Sequence, residues 1–359
     1  MTSTIRATSS SPEGSGPSAT GDPSSKPAAI SAPATTRRRA RRVLITGGAG
    51  FVGVNAADHL IGSGWHVTVL DNLSRGGTER NLKWLMSRHA KAASFVKEDI
   101  RNAAALAAHV KNQDAILHLA GQVAVTTSLV DPVTDFEVNA GGTVNVLEAA
   151  RKHNPGAPFV FASTNKVYGK LEKNNRACKE TQGIDFHSPY GCSKGAADQY
   201  VRDYARCYHM NTVVLRQSCI YGAHQYGTED QGWVAHFVHS IIKDRPLTIY
   251  GDGKQVRDLL DARDLSRLYE QVIDDIDKCR GEIYNVGGGP ENERNLLEVI
   301  DRIGELSGKK PQYTFADWRE GDQEYYVSDI TKAKEQLGWS PQIAFDQGLS
   351  DLVVWAASI

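Results

Sequence analysis

Two side chains four residues apart could perform acid–base chemistry. Tyr190 and Lys194 form a YxxxK pattern at the start of residues 190–208, whose apolar spacing predicts a helix. At positions i and i+4 of a helix the two side chains lie on the same face. A free phenol has a pKa of about 10, and a base that works near neutrality needs a value roughly three units lower. A neighbouring ammonium can stabilise the phenolate, so the pair predicts a tyrosine base assisted by lysine.

A third polar side chain follows a predicted strand. Residues 159–162 form a short apolar run, and Ser163 and Thr164 come directly after it. In parallel α/β sheets, ligands bind at the carboxyl ends of the strands. Thr164 is therefore placed where a substrate alcohol and the Tyr190 phenol would meet. YxxxK alone is common by chance, but its occurrence together with this hydroxyl favours a catalytic set.

A glycine-rich segment stands between the first predicted strand and the first predicted helix. Gly47, Gly48, Gly50 and Gly53 satisfy both GxxGxxG and GxGxxG. Without Cβ atoms the backbone can turn tightly and approach a pyrophosphate, whose charge is met by the amides of a helix N-terminus. The next predicted strand ends at Asp71, and a carboxylate there can accept both hydroxyls of an adenosine ribose and repels a 2′-phosphate. The segment therefore predicts NAD rather than NADP as cofactor.

Short β-branched runs alternate with helical stretches from Val43 onward. The predicted strands are 43–46, 66–70, 94–97, 115–119, 159–162 and 212–215, and further predicted helices are 52–61, 144–150 and 296–306. Such repeats predict an α/β fold, a Rossmann-type doubly wound parallel sheet with helices on both faces. We predict an NAD-binding domain at 43–215, to which later segments return, and a smaller C-terminal α/β substrate-binding domain that is mainly 216–359.

The amino-terminal segment has a different composition from the rest of the chain. Of residues 1–36, 29 are Ser, Thr, Pro, Gly or Ala, and several arginines follow before the first strand. A segment with so few large apolar side chains cannot bury enough surface to offset the entropy of ordering it. We therefore predict a disordered tail at residues 1–42.

Overall composition argues against several classes of protein. The chain has 41 basic and 42 acidic residues, a balance that argues against a nucleic-acid binder, which needs an excess of basic side chains. It contains no apolar run of about 18 residues, so we expect no membrane span. Its five cysteines are an odd number without a CxxC pair, which argues against a disulfide scaffold or a metal site. A reducing compartment, the cytoplasm, is the expected location.

These motifs together resemble the extended short-chain dehydrogenase/reductases, specifically the NAD-dependent sugar epimerase/dehydratase family. The resemblance covers residues 43–359 and includes the glycine segment, Asp71-Asn72, residues 99–101, 118–122, 163–169, 190–194, 255–258 and 319–322. Three longer strings, at 121–128, 185–200 and 230–234, resemble the branch that epimerises CDP-hexoses of the paratose/tyvelose type at C2.

The resemblance implies a role for each matching position. The catalytic residues would be Thr164, Tyr190 and Lys194, and the substrate would contact Thr164, Asn165, Arg257 and Arg319, because a guanidinium suits bidentate contact with a diphosphate. The residues that would hold NAD are Tyr190 and Lys194 together with Gly47, Gly50, Phe51, Val52, Gly53, Asp71, Asn72, Asp99, Ile100, Leu119, Ala120 and Gln122. Relatives commonly form homodimers through two helices, which would here be 140–152 and 195–208.

The implied reaction is epimerisation of a nucleotide-diphosphate sugar through a transient ketone, with hydride passed to NAD and returned. A 4,6-dehydratase would carry an acidic pair directly after Thr164, whereas this chain has Asn165 and Lys166, so dehydration lacks its acid. Many 4-epimerases have Asn where this chain has Cys219. Epimerisation at C4 of a UDP- or CDP-hexose remains an alternative, as does a non-catalytic NAD-binding regulatory protein, which would not need the catalytic set.

Overall fold

Seven parallel strands form the main sheet of the computed structural model, which describes residues 16, 39–171, 177–319 and 322–359. The strands are β1 Arg42–Thr46, β2 His66–Asp71, β3 Ala93–Lys97, β4 Ala115–His118, β5 Phe159–Thr164, β6 Thr212–Gln217 and β10 Ile283–Val286. Their spatial order is β10-β6-β5-β4-β1-β2-β3. Since β1 pairs with β2 on one side and β4 on the other, the winding direction reverses there. The sheet is therefore doubly wound, as predicted.

Each of the six predicted strands is present. Their observed ends lie within two residues of the predicted ends, and β2 and β5 extend to Asp71 and Thr164, the two residues singled out for chemistry. The seventh strand, β10, was not among the predicted strands. It pairs with β6 in the register Ile283↔Val214, so a segment from the second half of the chain completes the first sheet.

Helices cover both faces of this sheet. On one face lie α1 Phe51–Gly62, α2 Thr78–Arg88, α9 Ala262–Asp274 and α12 Thr331–Leu337, and on the other α3 Ala103–Val110, α6 Gly142–His153 and α7 Ser188–Tyr208. Leu60 and Leu268 pack with Val69 in the first core, and Leu147 and Val201 pack with Phe161 in the second. Both faces of the strands are thus buried, which explains their nearly continuous apolar sequences.

The second half of the chain forms a third core. Val238, Ile300 and Leu352 pack together there from three helices. The strands of this part are β7 Cys219–Tyr221, β8 Leu247–Tyr250, β9 Val256–Asp261, β11 Glu293–Asn295, β12 Tyr313–Ala316 and β13 Tyr325–Tyr326; its helices are α8 Trp233–Ile242, α11 Leu296–Ser307 and α13 Phe345–Ala357. β9 pairs with β7, β11 and β13, whereas β8 and β12 form a separate pair.

Short elements complete the chain. They are α4 Val125–Val130, α5 Pro132–Phe136, α10 Ile276–Cys279, a π-helical turn Glu137–Gly141, and 3₁₀ turns at Asn165–Tyr168 and Pro290–Asn292. Residues 40–359 form one compact unit. The division at residue 215 stays a prediction, and the predicted disordered tail falls almost entirely on residues outside the described part. None of the described helices is long and apolar enough to cross a bilayer.

Candidate functional site

The glycine segment forms a tight loop between β1 and α1. Gly47 has a φ of +69°, and its N–H donates to the Leu70 carbonyl at 2.7 Å. A Cβ on Gly53 would lie 2.4 Å from the Gly47 carbonyl oxygen, so a side chain there would force the loop away from the helix. The helix begins at Phe51, and its first-turn N–H groups have no intrahelical partner. The loop therefore leaves a concave row of amides at the carboxyl edge of the sheet.

Asp71 ends β2 beside this loop. Its two carboxylate oxygens accept the N–H of Ala49 at 3.1 Å and the N–H of Leu73 at 2.8 Å. Burial raises the pKa of Asp71, and these main-chain bonds oppose the increase. Beyond the prediction of a ribose contact, the carboxylate thus also holds the glycine loop against the end of β2.

Other predicted cofactor residues lie along the same edge. Asn72 donates to Asp99 at 3.0 Å, and Arg101, which also binds Asp99, lowers the pKa of that carboxyl to about 2. Ile100 is buried, and Ala120 and Gln122 follow β4. Phe51, Val52 and Leu119 line the cavity described below.

The three predicted catalytic residues come together at the carboxyl end of β5. Thr164 ends that strand, and Tyr190 and Lys194 lie in the first two turns of α7, where they are 8% and 6% exposed. The Thr164 hydroxyl is a polar neighbour of the Tyr190 phenol, and it accepts the N–H of Lys166 at 3.2 Å. Lys194 Nζ donates to the Ala162 carbonyl at 2.6 Å. A strand end and a helix start thus hold the set in place.

The two titratable groups of the set depart from their ordinary pKa values. Burial raises the pKa of Tyr190 to about 12, and the hydrogen bond with Thr164 opposes that increase. Burial lowers the pKa of Lys194 to about 8, and the carboxylates of Asp198 and Asp135 oppose that decrease. In the protein without cofactor the phenol pKa is therefore high, because desolvation outweighs its polar neighbours; the lowered value that we predict for the base also involves the positive charge of a nicotinamide ring.

Sequence reasoning missed a buried network behind this set. Asp135, 1% exposed, accepts hydrogen bonds from Ser193 Oγ and, at 3.2 Å, from Asn139 Nδ2. Asn139 lies in the π-helical turn, and its Oδ1 accepts the N–H of Gln122 at 2.9 Å. The only sequence signal was the position of Ser193 beside Lys194. The network connects the helix with the catalytic pair to the loop predicted to hold the cofactor.

His118 is fully buried at the end of β4. The Thr143 hydroxyl donates to the Asn139 carbonyl at 2.6 Å, so it must accept from His118 Nε2–H at 3.0 Å. His118 Nδ1 then accepts from the Thr46 hydroxyl at 2.6 Å. Burial lowers the pKa of His118 to about 3. The ring is therefore a neutral element of structure, not a base.

The predicted substrate residues line the same cavity as the catalytic set. This cavity measures about 380 Å³, and Thr164, Asn165, Tyr190, Lys194, Arg257 and Arg319 are among its lining residues. Arg257 donates to Asp322 at 2.8 Å, and Arg319 donates to Glu229 at 2.8 Å with its guanidinium 3.8 Å from the Tyr250 ring centroid. Each arginine thus pairs with a carboxylate. Two residues of the 319–322 motif, Glu320 and Gly321, lie outside the described part.

Among the described residues, no cluster of His, Cys, Asp or Glu could hold a metal ion. Cys219, the position where the sequence departs from many 4-epimerases, lines the cavity and accepts from Trp233 Nε1 at 3.5 Å.

Comparison with known proteins agrees with this arrangement. The profile of the GDP-mannose 4,6-dehydratase family matches residues 44–352. The chain belongs to the GDP-mannose 4,6-dehydratase family. This places it among the extended short-chain dehydrogenase/reductases and confirms the predicted family and fold.

The proteins that are similar to this chain have names that describe different reactions. The chain is 42% identical over 340 residues to CDP-paratose 2-epimerase of Salmonella typhi, covering 89% of this chain and 100% of that protein. It is similar to the Thermus thermophilus UDP-glucose 4-epimerase solved with NAD (TM-score 0.79, 33% identity, 88% and 98% covered). It also resembles the Streptomyces venezuelae dTDP-glucose 4,6-dehydratase solved with NAD (TM-score 0.80, 30% identity, 88% and 97% covered).

Proposed function

We propose that the protein is an NAD-dependent nucleotide-sugar epimerase that inverts C2 of a CDP-hexose of the CDP-paratose type. The observation that carries this proposal is the convergence of Thr164, Tyr190 and Lys194 in one cavity with the glycine loop. The full-length similarity to CDP-paratose 2-epimerase supports the choice of sugar, nucleotide and carbon. A non-catalytic NAD-binding protein would have no need of the complete set.

The residues at the carboxyl edge of the sheet fit NAD. Without a Cβ, Gly53 lets the glycine loop pack closely on the start of α1, so the α1 amides can donate to a pyrophosphate. Asp71 and Asn72 would hold the adenosine ribose, and Lys194 the nicotinamide ribose. Bound NAD would supply a hydride acceptor and donor, and its positive ring would favour a nearby phenolate.

The chain's own groups carry the proton chemistry. Tyr190 takes the proton of the reacting sugar hydroxyl, and Thr164, a polar neighbour of Tyr190, orients that hydroxyl. Lys194 is held by the Ala162 carbonyl, so its charge stays fixed beside the site. The ketone formed by oxidation must present its opposite face before reduction, which inverts the carbon without net redox change.

The residues after Thr164 support epimerisation over dehydration. Loss of water requires an acid and a base besides the tyrosine, and the two positions concerned hold Asn165 and Lys166. Asn165 donates its amide to Gln323 at 3.1 Å. Glu229 and Asp322, carboxylates that line the cavity, are bound to Arg319 and Arg257. The two positions directly after Thr164 thus lack the dehydratase acid.

Epimerisation at C4 is the second candidate. Its support is the similarity to the Thermus thermophilus UDP-glucose 4-epimerase, whose length is 98% covered. The same catalytic set would serve, with the sugar rotated so that C4 faces Tyr190. Cys219, where many 4-epimerases have Asn, weighs against this candidate.

Two measurements test the proposed reaction. Incubation of the holoenzyme with CDP-, UDP-, GDP- and dTDP-sugars, followed by NMR, should show inversion at C2 of CDP-paratose. Inversion at C4 of a UDP-sugar instead would favour the second candidate. Deuterium placed at the reacting carbon should be retained in the product, because hydride returns to the carbon that released it. Extensive exchange with solvent would contradict the mechanism.

Assembly and location form a further part of the proposal. We propose a homodimer formed through α6 and α7, because exposed apolar side chains lie on α7 and on the neighbouring α4 and α5. They include Val130, Val133, Phe136 and Tyr200, which are between 50% and 86% exposed. Analytical ultracentrifugation should give twice the chain mass. Five free thiols, Cys178, Cys192, Cys207, Cys219 and Cys279, suit the reducing cytoplasm.

A further inference from the structure

Gln323 lies behind the wall of the cavity. It stands two residues before β13, is 3% exposed, and is not among the residues that line the cavity. Its main-chain N–H donates to Asp322 Oδ1 at 2.9 Å, and its main-chain carbonyl accepts from Arg257. Its side-chain amide makes two further hydrogen bonds, to Asn165 and to the Gly169 carbonyl. One buried residue therefore joins the proposed diphosphate contact to the turn that follows β5.

The side-chain amides of Gln323 and Asn165 have defined orientations. The Gly169 carbonyl can only accept, so the atom of Gln323 that faces it is Nε2. Gln323 Oε1 then accepts from Asn165 Nδ2 at 3.1 Å. This leaves Asn165 Oδ1 on the side of Thr164, 3.4 Å from Thr164 Oγ1. A main-chain carbonyl thus determines, through two amides, which atom of Asn165 the catalytic hydroxyl meets.

The Thr164 hydroxyl has one proton and two lone pairs. One lone pair accepts the N–H of Lys166 at 3.2 Å, and Asn165 Oδ1 is an acceptor for the proton. The second lone pair can then accept from the Tyr190 phenol or from a sugar hydroxyl. If the amide of Asn165 were turned over, its N–H groups would face Thr164 and compete for that lone pair. The orientation of Asn165 therefore decides whether Thr164 can accept from its catalytic neighbours.

The proposed reaction requires Thr164 both to donate and to accept. Tyr190 takes a proton when the sugar is oxidised and returns it when the ketone is reduced, so it alternates between phenolate and phenol. A phenolate can accept the Thr164 proton, whereas a phenol can donate to the Thr164 lone pair. In the second state the Thr164 proton needs another acceptor, which Asn165 Oδ1 supplies. The hydroxyl can thus follow each proton transfer by rotation alone.

We infer that Gln323 is a positioning residue for the catalytic hydroxyl: by fixing the amide of Asn165, it keeps an acceptor beside Thr164 for the stage at which Tyr190 carries the proton. This inference rests on the proposed function. It gives the side chain of Gln323 a part in the chemical step and none in binding the nucleotide. It also gives a reason for an amide at a position where a dehydratase would carry an acid.

Kinetics and calorimetry of the NAD-loaded enzyme separate the chemical step from binding. Gln323→Met keeps the length of the side chain and the main-chain bonds to Asp322 and Arg257, but removes the amide. We expect kcat with CDP-paratose to fall about tenfold or more, and KM and the affinity for CDP to change less than about twofold. Gln113→Met is the matched control and should change neither, since Gln113 is 7% exposed and donates to the His109 carbonyl.

A double-mutant cycle tests whether Gln323 acts through Asn165. Asn165→Ala removes the acceptor itself and should lower kcat, and the addition of Gln323→Met should then lower kcat no further. Losses that multiply would mean that Gln323 acts elsewhere. An unchanged kcat in Gln323→Met, or equal losses in kcat and in the affinity for CDP, would also overturn the inference.

A crystal structure of Gln323→Met provides a measurement that does not depend on activity. We expect the Asn165 side chain to leave its place beside Thr164, because the partner that holds its amide is gone. An Asn165 side chain in its original position would contradict the inference. If the wild-type enzyme converts a different nucleotide sugar, the proposed C2 reaction fails, but the same comparison with that sugar and its nucleoside diphosphate still tests Gln323.

Discussion

The two ends of the cavity are built by different means. At the proposed cofactor end, the loop 47–53 shapes the site mainly with main-chain atoms, and its hydrogen bonds reach Leu70 and Asp71 at the end of β2. At the sugar end, charged side chains from distant segments pair with one another: Arg257 and Asp322 are 65 residues apart, and Glu229 and Arg319 are 90 apart. The proposed cofactor end is thus shaped mainly by the main chain, whereas at the proposed sugar end both arginines already pair with carboxylates.

The variant with the largest expected effect tests the chemical step separately from the two ends of the cavity. Tyr190→Phe removes only the phenol oxygen, so the ring should keep its packing and NAD should remain bound. Turnover should fall by roughly 10²- to 10⁴-fold, because proton transfer loses its base. Steady-state kinetics and the NAD content of the purified variant measure the two quantities. Parallel loss of activity and NAD would show that Tyr190 serves the fold or cofactor site instead.

A second variant breaks the cofactor end. Gly53→Ala places a Cβ 2.4 Å from the Gly47 carbonyl oxygen, and the loop must shift. We expect NAD affinity to fall roughly tenfold or more and stability to fall by about 1–3 kcal/mol. Gly62→Ala, at the other end of α1, has no heavy atom within 4 Å and should bind NAD normally. Calorimetric titration with NAD and thermal melts measure both effects. Normal NAD affinity in Gly53→Ala would contradict the assignment of the loop.

The difference between the two ends of the cavity also explains which features could be predicted from the sequence. Strand ends at Asp71 and Thr164, the glycine loop and the start of α7 follow from local patterns, and the structure places them within two residues of prediction. Asp135 was missed because its partner Ser193 lies 58 residues away, on a different helix. Nothing in the local pattern of a short helix distinguishes such a carboxylate from a solvated one.

The charge state of the site was likewise beyond pattern reasoning. The spacing of Tyr190 and Lys194 correctly put both at the start of one helix, but it contains no information on how strongly burial acts on the phenol before a cofactor adds its positive charge. Burial raises the phenol pKa to about 12, since desolvation depends on how the whole cavity closes around the ring. The placement of catalytic residues is thus readable from local sequence, whereas their ionisation depends on tertiary packing.

A third variant probes the sugar end. Arg319→Gln should raise KM for the nucleotide sugar about tenfold or more with a smaller change in kcat, because the guanidinium is proposed to bind the diphosphate of the ground state. NAD content should not change. Arg302→Gln is the matched control, since Arg302 pairs with Glu305 and Asp346 and does not line the cavity. A fall in kcat without a change in KM would place Arg319 in the chemical step.

The smallest expected effect concerns the buried network behind the catalytic set. Asp135 contacts Ser193 and Asn139, and its charge raises the pKa of both Tyr190 and Lys194. Asp135→Asn removes that charge, so both pKa values should fall. Tyr190, which must be deprotonated to act as a base, then reaches that state at lower pH. Lys194, which must be protonated, then loses its charge at lower pH. Both limbs of the kcat/KM profile should therefore move toward lower pH, by less than about one unit.

If Asp135→Asn only damaged the structure, kcat/KM would fall at every pH and the pH values of the two limbs would stay the same. Asp135→Glu keeps the charge and should leave the limbs in place even if packing lowers the rate. Asp203→Asn removes an exposed carboxylate from the same helix as Tyr190 and should not move them, because solvent screens that charge. Movement of only one limb would show that the charge of Asp135 acts on one of the two groups. Unmoved limbs in Asp135→Asn would mean that the network holds the catalytic helix by geometry alone, and that ionisation at the site is governed by burial and by the bound cofactor.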